Sequence, residues 1–266
     1  MLFRSEKGFD KAFHTVDDLT RSMGNVSFYY QGRIIENIRI SNTVDAYAVN
    51  GWESMKLENH SGIVDNYRFP KGDPEVMARY NAPLYLAVKM NRKVVSTGDT
   101  TLVDTYIVNE KNLKGSYILN LVAKDESGNV VASHKERVTV KGGNDYGQCL
   151  QSGWAFIPKS KGYTRIEASL LKGKTELVKG DDLLFAVELN TKGITTRGSV
   201  ADTTGALVNF LRGVGMEIPV YKGGTPEGVY LLVGAYEPTQ WGSVMSDIME
   251  WVYIGHTLII VDNPER

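Results

Sequence analysis

Cysteine is nearly absent: Cys149 is the single one in 266 residues. One thiol excludes an internal disulfide and any cysteine-rich metal site. Cys149 is expected as a small packed side chain rather than a nucleophile. An excess of charge is missing too, with 30 basic against 31 acidic side chains and a net charge of −1. That leaves no long-range pull on nucleic acid or on an anionic membrane. No apolar run nears the ~20 residues of a bilayer span. The first residues, MLFRSEKGFD, hold no apolar signal-peptide core. No G-x-G-x-x-G opens a helix, and the glycine pairs Gly223-Gly224 and Gly213/Gly215 are too weak for a nucleotide site. No cofactor and no metal are expected.

What is present is ordinary globular composition, 42% hydrophobic and 23% charged, at a length that suggests two or three domains. The chain is organised around Val44 to Arg68. Val44–Val49 reads as a buried strand that runs into a loop carrying Asn50, Trp52, Glu53, Lys56, Glu58, Asn59 and His60. A strand ending in a polar and aromatic cluster is how an α/β barrel presents a site. Upstream, Ala12–Val16 could be a short strand with Asp17 and Asp18 at its end. The alternative is a loop or a helix N-terminus, where aspartates satisfy free backbone N–H groups. Asn25–Ile40 reads as a helix capped by Asn25. Its apolar positions are Val26, Tyr29, Tyr30, Ile34 and Ile38, with Arg33, Glu36 and Arg39 on the other side. Asp73 and Pro74 open a short helix.

Pro83 marks a change. From Leu84 to Asn190 the helical period disappears and strands alternate with turns: Tyr85–Val88, Thr101–Val108, Tyr117–Lys124, Val130–Val140, Tyr163–Leu171 and Leu183–Leu189. Ser127-Gly128-Asn129 marks a hairpin. The spacing predicts a β-sandwich of immunoglobulin type. From Thr196 onward helix and strand alternate: helix Thr204–Val214, strands Met216–Tyr221 and Val229–Ala235, helix Gln240–Tyr253, strand His256–Val261. That order predicts a parallel, flavodoxin-like sheet.

The residues GWESMKLENHSGIVDNYR, with TVDDLTRSMGNVSFYYQGRIIENIRI before and KGDP…YNAPLYLAVK after, resemble the end of the catalytic barrel in glycoside hydrolase family 2. That family includes β-galactosidases, β-glucuronidases and β-mannosidases. GDTTLVDTYIVNEKNLKGSYILNLVAKDESG resembles the immunoglobulin-like domain that follows the barrel. The resemblance covers roughly residues 8–190. It implies two parts: 1–82, the end of a TIM barrel, and 83–191, an immunoglobulin-like β-sandwich; the last segment, 192–266, separately resembles a truncated flavodoxin- or amidotransferase-like α/β domain.

Family 2 uses two glutamates for double displacement with retention, one after the fourth barrel strand and one after the seventh. Neither maps onto a residue here: the position before the Asn25–Ile40 helix offers Asp17 and Asp18 but no glutamate. The expectation is therefore a C-terminal piece of a retaining exo-glycosidase, inactive alone. Trp52 matches the family's aromatic floor of the sugar subsite. Asn50, Glu53, Glu58, Asn59 and His60, with Asp17 and Asp18, are candidates for polar sugar contacts. The implied partner is a carbohydrate substrate, with a homo-oligomer left open and the periplasm or cell surface as compartment of the parent. The alternative is a non-catalytic carbohydrate-binding or adhesion protein, supported by Tyr146, Trp154 and Tyr163. The turn after Val229–Ala235, Tyr236-Glu237-Pro238, holds no cysteine. Amidotransferase activity is therefore not expected. A ligand-sensing role there would rest on Tyr236, Glu237 and Trp241.

Overall fold

A computed structural model describes residues 5–49, 51–53, 62–189, 197–235 and 238–261, with the backbone alone at 238–241 and 243. The chain divides into two compact units, Met1–Glu188 and Leu189–Arg266.

The first unit is built on a two-sheet sandwich. One sheet has the order β1-β3-β6: β1 (Leu84–Met90), β3 (Thr101–Asn109) and β6 (Gly147–Phe156), all antiparallel. The other has the order β2-β8-β7-β4-β5: β2 (Val94–Ser96), β4 (Gly115–Asp125), β5 (Val130–Val140), β7 (Gly162–Lys172) and β8 (Thr175–Val187). In β4, Tyr117, Leu119, Leu121 and Ala123 fall at every second position and all are buried. They meet Ile166, Ala168 and Leu170 of β7 and Val103 and Ile107 of β3 in one core. Burying each large aliphatic side chain contributes roughly 1.5–3 kcal/mol.

The hairpin predicted at Ser127–Asn129 is present. The Asp125 carboxylate accepts from the Ser127 and Asn129 amides at 2.9 and 2.8 Å, and Gly128 takes φ 83°. β6 has no counterpart among the expected strands. Its GQCLQSGWAF lacks alternation because the ladder to β3 shifts register on both sides of Thr105. Cys149 lies on this strand and is exposed, so it is not the packed side chain expected of it. Although the residue as a whole is exposed, partial desolvation of the thiol, the largest effect, and then the Asp104 charge push its pKa up, and a raised pKa disfavours a nucleophilic thiolate.

Two helices, α1 (Val16–Ser41) and α2 (Pro74–Tyr80), cover the other face of the three-stranded sheet. Tyr85, Leu86, Ala87 and Val88 of β1 are therefore all buried, and a strand covered on both faces reads as a continuous apolar run. Helix α1 begins earlier than expected. Thr15 is its cap, in a reciprocal box with Asp18 at 3.0 and 2.9 Å. Ala12–Val16 is thus no strand, and Asp17 and Asp18 lie in a helical first turn.

The helix is also turned over relative to the sequence reading. Its buried face is Gly24, Phe28, Gly32, Arg33, Ile35, Glu36 and Arg39, while Met23, Val26, Tyr30 and Ile34 are exposed. Neutralising partners on the sandwich make this possible. Glu36 accepts from the Tyr85 hydroxyl at 2.7 Å and pairs with Arg33 at 3.0 Å. Arg33 also reaches Asp182 of β8 at 3.1 Å. Arg39 donates to the Tyr80 and Ala82 carbonyls at 2.5 and 2.8 Å and pairs with Glu110 at 2.7 Å.

The expected strand Val44–Val49 is not formed. The segment is irregular and exposed. A strand needs a hydrogen-bonding neighbour, and before Leu84 the described residues hold only the isolated bridges Glu53–Val64 and Val64–Pro70. A barrel segment is accordingly not shown.

The second unit is a parallel sheet in the order β11-β10-β9, from β9 (Gly198–Ala201), β10 (Tyr230–Val233) and β11 (Thr257–Ile260). Helices α3 (Ala206–Gly213) and α4 (Pro238–Tyr253) make the two crossovers. Ala201, Leu231, Val233, Val244, Ile248 and Trp251 form its core. Met216–Tyr221, expected as a strand, contributes one bridge, Val200–Val220. β11 exposes Ile259 and Ile260 at the sheet edge.

Asp202 ends β9 and holds the start of α3, accepting from the Leu207 amide at 2.7 Å and the Thr204 hydroxyl at 2.9 Å. Desolvation pushes its pKa up, but the Thr204 hydroxyl and the Val208, Leu207 and Thr204 amides together hold it below the ordinary value. A lowered folded pKa gives stability that is full above the unfolded pKa and is lost as pH falls through the folded pKa. Asp202→Ala should cost this unit about 1–2 kcal/mol near neutral pH. Urea unfolding should show that deficit shrinking as pH falls below about 4, the unfolded carboxylate's pKa, toward the lowered folded one. An equal deficit at pH 7 and pH 3 would contradict a charge-based role.

Candidate functional site

A groove lies between the first half of α1 and the segment 65–71. Two glycines bring these walls together. A Cβ at Gly24 would lie 1.7 Å from the Lys71 carbonyl oxygen, and one at Gly72 would lie 2.6 Å from the Asn25 side-chain oxygen. Asn25 is not a helix cap. Its side-chain oxygen accepts from the Asp73 amide at 2.6 Å, while Asp73 in turn caps α2 through the Glu75 amide at 3.0 Å.

The loop is shaped by Asp65, whose Oδ1 accepts from the Tyr67 and Phe69 amides, both at 2.9 Å. Arg68 between them takes φ 66°. The resulting groove encloses about 550 Å³, with Asp17, Thr20 and Arg21 on the helix side and Asp65, Phe69 and Lys71 on the loop side. Burial lowers the Lys71 pKa, against the opposing pull of Asp65.

Residues 51–53 lie along the same loop. The Trp52 carbonyl accepts from the Ile63 and Val64 amides at 2.9 and 3.1 Å, and Glu53 pairs with Arg68 at 3.5 Å. Three aromatic side chains stand out from this hydrogen-bonded platform: Trp52 at 64% exposure, Tyr67 at 76% and Phe69 at 69%. Single exposed side chains are ordinary, but several large ones on one loop can form a docking face. Aromatic rings flanked by carboxylates and guanidinium groups suit a polyhydroxylated ring, whose C–H face stacks while its hydroxyls hydrogen-bond.

The sequence-derived residues divide as follows. Trp52 and Glu53 are on the platform, and Asp17 lines the groove, paired with Arg21 at 3.7 Å. Asp18 is occupied in the helix cap. Asn50, Glu58, Asn59 and His60 lie outside the described residues, as do Tyr236 and Glu237; the side chain of Trp241 does too. Tyr67, Phe69 and Asp65 were not singled out from sequence, although DNYRFP, aromatic residues within a polar turn, carries the signal. Among the described residues no group of three or more histidine, cysteine or carboxylate side chains could hold a metal ion.

No protein-family model matches the chain, and comparison with curated proteins finds no match. Solved structures give coarse likenesses. A glycosyl hydrolase family 2 member from Bacteroides cellulosilyticus aligns with TM-score 0.32 and 14% identity, over 59% of this chain and 22% of that one. A β-D-mannosidase from Dictyoglomus thermophilum aligns with TM-score 0.37 and 14% identity, over 56% and 17%. The CARDB domain of a Pyrococcus furiosus protein aligns with TM-score 0.28 and 15% identity, over 40% and 94%. The chain spans about a fifth of the length of the glycosidases it matches, and the likeness is one of coarse domain shape.

Proposed function

We propose that this chain is the non-catalytic, sugar-contacting part of a retaining exo-glycosidase that acts on β-linked saccharides. The observation that carries this reading is the platform of Trp52, Tyr67 and Phe69 beside a groove that holds Asp17, Asp65 and Arg21. Retention needs two carboxyl groups about 5–5.5 Å apart, and neither of the family's glutamates maps onto this sequence, so the nucleophile and the acid/base come from elsewhere in the working enzyme. The exposed stripe of Met23, Val26, Tyr30 and Ile34 on α1 supports the same reading. An apolar helix face turned to water is a face awaiting cover, and further βα units of a barrel would supply it. Val44–Val49 would then gain the neighbour that makes it a strand.

The test has two arms. The chain alone should show no hydrolysis of aryl β-glycosides, and measurable turnover would contradict the assignment. Titration with β-linked oligosaccharides should change the tryptophan fluorescence of the chain, and Trp52→Ala should abolish the change. A response unaltered by Trp52→Ala would sink the platform as the sugar site.

A second reading, glycan binding or adhesion without catalysis, is favoured by the exposed Tyr146 and Tyr163. Trp154 does not add to it, since it stacks on His134 and packs against Phe156.

A further inference from the structure

The outer face of the five-stranded sheet carries a second set of groups suited to a ligand. Tyr163, Arg165, Glu167 and Ser169 alternate along β7, while Thr164, Ile166, Ala168 and Leu170 between them are buried. Alternate residues share a face, so the first four point away from the core. The register sets Tyr163 opposite Phe185, Glu167 opposite Asp181 and Ser169 opposite Lys179 on β8.

At one end, Tyr163 and Phe185 form an exposed aromatic pair with ring centroids 4.7 Å apart. Next to it a groove of about 500 Å³ follows the strands, with Arg79 of α2 in its wall. Four cations line it, Arg79, Lys124, Arg165 and Lys179, against the carboxylates of Glu167, Glu176 and Asp181, so the groove is net positive. Lys124 is balanced by Glu167 at 2.7 Å. Asp181 must serve two guanidinium groups, Arg79 at 2.5 Å and Arg165. Among the described residues no carboxylate lies within ion-pair distance of Lys179. The Arg79 and Arg165 side chains stay 38% and 50% exposed, so both guanidinium groups remain open to a further oxygen.

We propose that this face binds an acidic polysaccharide, with a sugar ring on the Tyr163–Phe185 pair and a carboxylate or sulfate taken by Arg79, Arg165 and Lys179. Tyr163 and Ser169 are six residues apart, about 20 Å along an extended strand, which accommodates several sugar units. Excess donors give the selectivity: planar guanidinium groups suit carboxylate and sulfate oxygens, and a neutral glycan leaves the excess charge unanswered.

The test is affinity electrophoresis of the full chain in gels containing polygalacturonate or neutral dextran. Retardation by polygalacturonate and not by dextran is expected. Tyr163→Ala and Lys179→Glu, both at surface positions, should each weaken it about tenfold, equivalent to about 1.4 kcal/mol. Lys222→Glu, the same charge reversal at an exposed position of the second unit, should leave it unchanged, which separates this site from a general charge effect. Three results would overturn the proposal: no retardation in either gel, equal retardation by dextran, or retardation that responds to salt but not to Tyr163→Ala. The last would be ion exchange alone.

Discussion

Glu36→Leu should destabilise the first unit by about 3–5 kcal/mol, the range expected when one member of a buried ionic group is removed. Glu36 has 0% exposure and sits on the face of α1 pressed against β1. It accepts from the Tyr85 hydroxyl at 2.7 Å and pairs with Arg33 at 3.0 Å and Lys89 at 3.4 Å. A second carboxylate, Asp182, continues the network through Arg33 at 3.1 Å, Lys93 at 2.5 Å and the Tyr29 hydroxyl at 2.9 Å.

Three cations thus share two carboxylates. Without Glu36, Asp182 alone answers Arg33 and Lys93, Lys89 keeps only the Asn37 side chain at 2.6 Å, and the Tyr85 hydroxyl loses its acceptor. Leucine adds apolar volume but satisfies none of these donors. Burial, the largest effect, and then the Glu36 charge push the Tyr85 phenol far up, so Tyr85 stays a neutral donor throughout the working pH range. Glu36→Gln keeps an acceptor for Tyr85 and removes only the charge, so it should fall between the wild type and Glu36→Leu. Urea unfolding at constant pH measures the series. A Glu36→Leu loss below about 1 kcal/mol would mean that the buried pairs contribute little to holding α1 on the sandwich.

Gly24→Ala should cost about 1–3 kcal/mol, the usual range for forcing atoms into a packed site, and should also disturb the sugar platform. The added Cβ would sit 1.7 Å from the Lys71 carbonyl oxygen and 2.3 Å from its carbon. These are backbone atoms, so no rotamer change relieves the overlap, and either α1 or residues 71–72 must move. Moving the loop strains the Asp73–Asn25 hydrogen bond of 2.6 Å and the Lys71–Ile63 backbone bond of 3.1 Å, which together hold the platform beside the helix. The expected result is lower stability and a weaker saccharide response from Trp52 in the same variant. Unchanged saccharide binding alongside lost stability would show that the platform is held independently of the groove.

Parts of this architecture are legible in the sequence. β1, β4 and β7 could be read because each buries alternate or consecutive apolar residues, as Leu119, Leu121 and Ala123 do; β5 followed from the turn at Ser127–Asn129, and β3 was legible as a strand but not in its face, since it buries Thr101, Val103, Thr105 and Ile107 and leaves Leu102 exposed. The Asp73-Pro74 start of α2 was legible for a local reason, since a cap and its helix are neighbours in sequence. β6 was hidden because a shifted ladder to β3 removes the alternation that reveals a strand. Helix α1 was visible as a helix, but its orientation was read upside down: Val26, Tyr30 and Ile34 look like a core stripe, and only the charge partners on distant strands reveal Arg33 and Glu36 as the buried side. In the candidate site, Trp52 and Glu53 stood out as an aromatic and a carboxylate in a polar loop. Asp65 and Phe69 did not, because their placement depends on a turn folded back against α1.

By itself, the sequence determined the local elements: a long helix, a sandwich of alternating strands, and a closing stretch of alternating helix and strand. These follow from short-range chemistry, periodicity, caps and turn glycines. Only the tertiary structure decided which face of α1 is buried, whether Val44–Val49 is a strand, and which polar residues meet in one groove. Each of these depends on a partner far along the chain: Asp182 and Tyr85 for the charges of α1, a neighbouring strand for Val44–Val49, and Lys71 against Gly24 for the groove. A side chain's free energy of burial is set by what it is buried against, and that partner is not written in its own neighbourhood.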